Sequence, residues 1–392
     1  MSKTYLKIAP NEWKNASRDK RELSVAKELG YDVIVMAKGD VNDKGRIDMV
    51  DGYYVYRFST RPLKSLPNKV MFLNRILALL QWSLYAKKFG ADIISGHDLY
   101  ALLMGYLSNI FTSSKAKLIY DSHEMELYRN KKRNFIQKRG IKLLEGYLLK
   151  RADINMMVND SIADEVQKIY NLNVRPLVVR NIPSNWKINK ECILQQRQKY
   201  FAEFRDQNNF IIMYHGLIGK GNGIELVIRA LSQVAEVNLV IMGFCYDLKY
   251  LSQLKGEIQE LGLQKRVLFK EAVSLEELYK YVGAADVGMM TFEAITKSYY
   301  YSLPNKLFEN IQSLTPVICS DFPEMRRIIK KYNIGLTCDP QDISEIARCI
   351  LLLKEDKKLY EKLEENLKLA KKELCWEEEK KILQEALKKL EE

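Results

Sequence analysis

Between Tyr301 and Gln312 the chain reads Tyr-Ser-Leu-Pro-Asn-Lys-Leu-Phe-Glu-Asn-Ile-Gln, residues whose types and spacing could hold an anion. Pro304 cannot lie inside a helix, so a helix is expected to begin just after it. The unpaired N–H groups and partial positive charge of that helix would face the loop of Ser302, Leu303, Pro304 and Asn305. Lys306 falls in the first turn, where a cation is unfavourable unless an anion sits beside it. Glu309, three residues on, shares the helix face of Lys306. A cation and a carboxylate at the mouth of such a helix suit a sugar nucleotide, with phosphates against Lys306 and ribose hydroxyls against Glu309. A buried strand, Pro316 to Cys319, and a second helix opening at Pro323-Glu324 should follow.

The chain has three histidines, His97, His123 and His215, and each follows an apolar stretch that reads as a strand. All three at strand ends favours a cleft over a set of capping residues. No paired-ligand spacing such as HxxxH exists among them, so metal binding is not expected. The loop from Gly216 to Gly223, Gly-Leu-Ile-Gly-Lys-Gly-Asn-Gly, joins an expected strand to an expected helix. Its glycines would let backbone N–H groups come close to a phosphate, and Lys220 is its one cation. No Asp-x-Asp sequence occurs, so no metal is expected on a diphosphate. Lysines and helix dipoles would neutralise the leaving group instead. The polar loop Asn11 to Arg21 opens a helix at Ser17. It either carries Arg18 or Arg21 to an acceptor phosphate or is a plain surface helix start.

The elements that must position these residues are short apolar strands alternating with amphipathic helices, such as DVIVMA (32–37), KLIYD (117–121), FIIMYHG (210–216) and TPVICS (315–320). That pattern implies α/β architecture, with doubly wound parallel sheets covered on both faces and ligands held at the carboxyl ends of the strands. At 392 residues two domains are expected. We read residues 1–183 as an N-terminal Rossmann-like domain and 184–208 as a polar, strand-free linker. Residues 209–374 read as a second Rossmann-like domain, and 375–392 as a helix packing back towards the first.

The six cysteines include no CxxC pair and read as free thiols in a reducing cytosol. The strand TYLKIA leads into a polar loop rather than the apolar run of a signal peptide. The most apolar stretch, Val70 to Ala86, is interrupted by Asn74 and Arg75 and falls short of a membrane span. The whole segment Leu66 to Phe89 reads as core, with membrane-surface contact as the alternative. Residues 1–190 hold 33 Lys and Arg against 19 Asp and Glu, an excess of 14 that the rest of the chain trims to the net charge of +12. Clusters such as Lys131-Lys132-Arg133 and Lys138-Arg139 suit an anionic membrane face or a lipid-linked pyrophosphate, or are simply a solvated face. No nucleic-acid motif accompanies them, so nucleic acid is not expected as a partner.

The segment around Lys306 and Glu309 resembles the nucleotide-sugar-binding signature of family 4 (group 1) glycosyltransferases, which have the GT-B fold. The pieces SRDKRELSVAKELGYDVIVMAKG (17–39), KLIYDSHEME (117–126), VVRNIPS (178–184), IIMYHGLIGKGNGIELVIRAL (211–231) and CWEEEKKILQEALKKL (375–390) are similar to successive pieces of that family, in the same order. The resemblance implies a sugar transferred from a nucleotide-diphosphate donor to a surface polysaccharide or lipid-linked acceptor, with retention and without cofactor. With its thiols read as free, the protein is expected to be cytoplasmic, either unattached or peripheral on the inner membrane face through its basic first half. His123 would be the active-site histidine near the donor sugar, and His97 would stand on the acceptor side with Arg18. Gly216, Lys220, Ser302, Asn305, Lys306 and Glu309 would form the donor wall. The chain departs from the family at three positions. Tyr301 stands where a second Glu usually faces the donor sugar, and Leu217 and Asn222 stand where the family's basic pair lies. An isomerase on the same fold, such as a nucleotide-sugar 2-epimerase, and a non-catalytic partner subunit remain open alternatives.

Overall fold

Apolar strands too short to be stable alone are buried here as two parallel sheets with helices on both faces. The computed structural model describes residues 3–391 except 14–15, 41, 64–70, 113–114, 130–132 and 205–209. Lys131, Lys132, residues 66–70 of the apolar segment and 205–208 of the expected linker therefore lie outside the described residues. The chain divides into two units, Met1–Arg180 with Glu379–Glu392, and Asn181–Glu378.

The first unit runs β1 (Thr4–Ala9), α1 (Ser17–Glu28), β2 (Asp32–Lys38), β3 (Lys44–Val50), β4 (Tyr53–Phe58), α2 (Met71–Lys88), β5 (Ile93–His97) and α3 (Asp98–Ile110). It continues β6 (Lys117–Ser122), α4 (Phe135–Leu149), β7 (Ile154–Met157), α5 (Asp160–Tyr170) and β8 (Leu177–Val178). The strand order is β3-β4-β2-β1-β5-β6-β7-β8, parallel throughout except for the β3–β4 hairpin. Asp51 and Gly52 both take positive φ at the hairpin turn, the backbone that a tight two-residue connection needs. The order reverses between β1 and β5, so the loops leaving their carboxyl ends flank a switch-point crevice. Both loops carry a non-glycine residue in the left-handed region, Trp13 (φ 54°) after β1 and Asp98 (φ 67°) after β5. Strain of this kind tends to collect at functional sites.

Two expectations change in these regions. Helix α2 is core on one side only, burying Trp82 against Phe58 while most of its other large apolar residues face outward. Asn74, Ala78, Trp82 and Ser83 are buried, while Phe72, Ile76, Leu80 and Leu84 are exposed. The inward asparagine holds both backbone groups of Leu63, at 2.9 and 3.0 Å, so the inner face satisfies a loop as well as filling core.

The second unit contains α6 (Lys190–Gln195), α7 (Arg197–Tyr200), β9 (Phe210–His215), α8 (Ile224–Ser232), β10 (Val237–Met242), α9 (Leu248–Glu260), β11 (Val267–Lys270) and α10 (Leu275–Ala284). It continues β12 (Val287–Met290), α11 (Lys297–Tyr300), α12 (Asn305–Gln312), β13 (Val317–Ser320), α13 (Pro323–Tyr332), β14 (Gly335–Cys338), α14 (Ile343–Glu355) and α15 (Lys357–Glu373). Its all-parallel order is β11-β10-β9-β12-β13-β14, with the switch point between β9 and β12. The second changed expectation is the linker. Residues 190–204 carry Ile193, Tyr200, Phe201 and Phe204 at helical spacing, and these pack against Met213, Val240 and Val282 in this unit's core. The last helix, α16 (Trp376–Lys389), contributes its residues from Glu379 onward to the first unit, where Lys380 meets Glu28 at 2.9 Å. Among the described residues, no helix is long and apolar enough to cross a membrane.

Candidate active site

In the second unit the chain leaves β9 at His215 and turns at Gly216, whose φ of 115° suits glycine. A Cβ there would lie 2.4 Å from Cε of Lys306. At the other end of the loop Gly223 opens α8 with φ 70°, and a Cβ would lie 1.7 Å from the carbonyl oxygen of Thr291, just beyond β12. The loop is thus seated on the β9/β12 switch point. Asn222 Nδ2 donates to the Leu217 carbonyl at 2.8 Å and holds the loop closed, while Lys220 is exposed on it. These contacts separate two expected outcomes. Gly223→Ala meets immovable backbone and should prevent the second unit from folding to full stability, read as a lowered melting temperature. Gly216→Ala meets a flexible lysine stem, so the protein should fold and lose nucleotide affinity because Lys306 is displaced.

Helix α12 begins after Pro304, which takes an extended ψ of 143°, and no side chain caps the first N–H groups. Ser302 closes the turn before it, donating to the Tyr299 carbonyl at 2.7 Å, and Asn305 accepts from Asn181 at 3.1 Å. Lys306 reaches back over Gly216. Its ammonium donates to the Tyr214 hydroxyl at 2.9 Å and lies 4.3 and 4.9 Å from the ring centres of Tyr214 and Phe292. Among the described residues no carboxylate stands within ion-pair distance of it. Burial lowers its pKa to about 8, and the nearby charge of Glu309 only partly offsets this. An ammonium desolvated at a helix N-terminus, beside a glycine loop and without a counter-anion, has the features of an anion site.

One turn along α12, Glu309 Oε2 lies 2.8 Å from Nε2 of the buried His215. This pairing fixes the carboxylate at the end of β9. The sequence names both residues but does not reveal that they touch.

In the first unit the expected residues gather around a buried charge network. His97 closes β5, and its Nδ1 lies 3.0 Å from Asp19 Oδ1. His123 follows β6, and its Nε2 lies 3.0 Å from Asp121 Oδ2. The two imidazoles face each other with ring centres 3.8 Å apart. Burial alone would lower the pKa of His97, but the Asp19 carboxylate outweighs it and raises the value. Asp98 holds the His123 backbone N–H at 3.3 Å and the Arg129 guanidinium at 2.7 Å.

The carboxylates behind the histidines surround Lys7, which is fully buried in the middle of β1. Its ammonium lies 3.2 Å from Asp19, 2.5 Å from Glu22 and 3.0 Å from Asp121. Burial opposes the ionisation of Asp121, yet Arg18 and Lys7 hold it well below the usual carboxylate range. Arg18 therefore has a different task from the acceptor contact expected of it. It is buried, its Nε donates to Asp121 at 2.8 Å and its Nη1 to the Val179 carbonyl at 2.6 Å, so it positions β6 rather than meeting an acceptor phosphate. Asp19, His97 and His123 place ligand atoms within 4.8 Å of one another, as do Asp19, Glu22 and Asp121. Lys7 already supplies positive charge to both groups. The sequence signal for this network was a lone lysine inside TYLKIA, at a position a central parallel strand must bury.

Comparison with known proteins matches both halves of the chain. The family model "Glycosyltransferase Family 4" matches residues 24–181, and "Glycosyl transferases group 1" matches residues 195–370. An uncharacterized glycosyltransferase of Methanocaldococcus jannaschii is 24% identical over 334 residues, covering 81% of this chain and 79% of its own. Among solved structures, sucrose-phosphate synthase from Thermosynechococcus elongatus superposes with a TM-score of 0.76 at 18% identity, covering 99% of both chains. HepE of Anabaena in complex with UDP gives 0.76 at 15% identity, with the same coverage. The lipopolysaccharide outer core galactosyltransferase WaaB gives 0.68 at 14%, covering 98% of this chain and 99% of its own. With its two halves matched in chain order by the two family models, the chain belongs to the family 4 (group 1) glycosyltransferases of the GT-B fold.

Proposed function

We propose that this glycosyltransferase takes its sugar from a nucleoside diphosphate donor and passes it to a surface glycan or lipid-linked acceptor. The anomeric configuration is retained, and no metal is needed on the diphosphate. The observation that carries the donor assignment is the Lys306 ammonium, buried at the N-terminus of α12 and seated over Gly216 without a carboxylate partner. The bond from the sugar C1 to the β-phosphate oxygen breaks, C1 bonds to an acceptor hydroxyl oxygen, and the hydroxyl proton leaves with the diphosphate. Charge accumulates on the departing phosphate, where Lys306, Lys220 and the α12 dipole stabilise it. Glu309, steadied by His215, receives the ribose hydroxyls. His123, oriented by Asp121, contacts the donor sugar, with His97 beside it. The structures of HepE hold UDP and UDP-glucose, which makes uridine the first base to test.

The test is a thermal-shift screen against UDP-, GDP-, CMP- and dTDP-sugars with Glu309→Ala alongside. A ligand that binds only the folded protein raises its melting temperature. A shift with one nucleotide class, lost in the variant, is expected. No shift with any class would overturn the donor assignment. Turnover of the bound donor without acceptor to an isomer, rather than transfer, would turn the reading to an epimerase.

A further inference from the structure

The geometry points to a two-fold dimer in which the edge strand β3 of the first unit pairs antiparallel with β3 of a second copy of this chain. Strand β3 ends the eight-stranded sheet, and among the described residues it pairs with β4 alone. Such an edge leaves a row of backbone N–H and C=O groups for another strand to meet. Gly45, with φ 99°, marks a register shift between Lys44 and Arg46, so the regular part of the edge runs from Arg46 to Val50.

One face of this edge is bare and apolar. Ile47 and Met49 stand opposite Tyr56 and Tyr54 of β4 and share their face. On the same face of β4, Phe58 is covered by Trp82 and Tyr85 of α2, and Tyr56 meets Phe89 just past that helix. There the cover ends. Tyr54, Ile47 and Met49 are 58%, 54% and 59% exposed. An edge strand with large exposed apolar residues is a template for association.

Charge selects both the occupant and the register. On the other face of β3, Arg46 and Asp48 lie 3.2 Å apart. Asp48 also serves Arg57 of β4 at 2.9 Å, and Arg57 is the residue directly opposite Arg46. The other carboxylates near Arg46 are Asp43 at 3.3 Å and Asp40 at 3.8 Å, in the loop before the strand. A two-fold axis perpendicular to the sheet keeps like faces on the same side, and it must then pass between two copies of one residue. With the axis at Ile47, Arg46 faces the partner's Asp48 and Asp48 faces the partner's Arg46. These are two opposite-charge pairs, and Ile47 meets its own copy on the apolar face. An axis at Arg46 would set arginine against arginine, and one at Asp48 would set aspartate against aspartate. The run Arg-Ile-Asp is therefore complementary to itself in one register, as an isologous contact requires.

The inference stands apart from the donor assignment, which lies in the second unit. The full chain is followed by sedimentation velocity over a concentration series, beside Arg46→Asp, Asp48→Arg and an equimolar mixture of the two. The wild type should dimerise as its concentration rises. Each variant alone sets like charges against each other at both pairs, so its dimer dissociation constant should rise by about tenfold or more. The mixture restores both pairs in a heterodimer and should sediment as a dimer again. Ile47→Cys and Met49→Cys then report the register, each in a Cys192→Ser background that removes the exposed native thiol. Directly opposed residues of an antiparallel pair have Cα atoms about 4.5–5.5 Å apart, within disulfide reach, so Ile47→Cys should cross-link two subunits in mild oxidant. Position 49 lies four residues along the strand from its own copy, about 13 Å, so Met49→Cys should not. A wild type that stays monomeric at every concentration would overturn the inference. So would folded charge variants that dimerise as the wild type does, or a mixture that stays monomeric. If a charge variant melts early, the cross-link decides, and equal yields at the two positions, or none at either, would overturn the inference.

Discussion

Lys306→Met is expected to lower kcat/KM for sugar transfer by about 10²–10³, the loss typical when one preorganised group facing a developing anion is removed. The same variant should be more stable than the wild type near neutral pH. Lys306 is held in a desolvated place with aromatic rings and a hydroxyl around it, and burial depresses its pKa to about 8 from 10.5. The unfolded chain therefore binds more protons than the folded one between about pH 8 and 10.5, so wild-type stability rises with pH across that window. The difference amounts to no more than about 3 kcal/mol. Methionine fills the same volume without the charge, so its stability advantage is present below pH 8 and fades as the pH rises towards 10. Melting temperatures of the two proteins at pH 7 and pH 9.5 check this. A second consequence concerns the ligand. Nucleoside diphosphate affinity should fall as pH rises through about 8 in the free protein, because the ammonium is lost. Lys306→Arg should flatten that dependence while restoring part of the affinity, since guanidinium stays charged. An unchanged kcat/KM in Lys306→Met would remove the lysine from the donor site.

Much of this site was legible because its signals are local. Pro304 sets the start of α12 one residue later, and Pro323 opens α13, as a proline does in a first turn. The glycine run marks the turn after β9 because positive φ at Gly216 and Gly223 is a property of the residue itself. What could not be read was contact between distant segments. Lys306 meets Tyr214 across 92 residues, and Arg18 meets Asp121 across 103. Nothing in the helix start at Ser17 distinguishes an arginine that points to solvent from one drawn inward by a carboxylate on β6. The reading of α2 as core holds for one of its sides only. Apolar periodicity says that a face is hydrophobic but not whether a core or an external surface covers it. The hairpin of β3 and β4 was missed although its turn, Asp51-Gly52, is a strong local signal between alternating residues.

Lys7→Met should cost about 3–5 kcal/mol of stability, the opposite of what the same change does at Lys306. Both lysines are desolvated, and the sign is set by their partners. Among the described residues Lys306 has no carboxylate within ion-pair distance, whereas Lys7 is enclosed by Asp19, Glu22 and Asp121. Burial alone would lower the pKa of Lys7, but the three carboxylates raise it far above the ordinary value. Removing the ammonium leaves three buried carboxylates with Arg18 and two hydrogen-bonded imidazoles beside them. Asp19, now held at about 2 against the pull of burial by Lys7 and His97, would lose its strongest cationic partner and take up a proton at higher pH. The folded-state pKa of Asp19 is depressed, so its contribution is present above its unfolded value near 4 and is lost as pH falls towards 2. In the methionine variant that loss should begin at higher pH, giving an acid-unfolding midpoint shifted upward. Because Asp121 also orients His123, catalysis should suffer in the molecules that stay folded, with the fall in kcat exceeding any rise in donor KM. Denaturant unfolding at pH 7 and at pH 4, beside steady-state kinetics at saturating donor, measures each part. If Lys7→Met unfolds at the wild-type denaturant concentration, the three carboxylates do not depend on the lysine and the network is not what holds the two histidines in place.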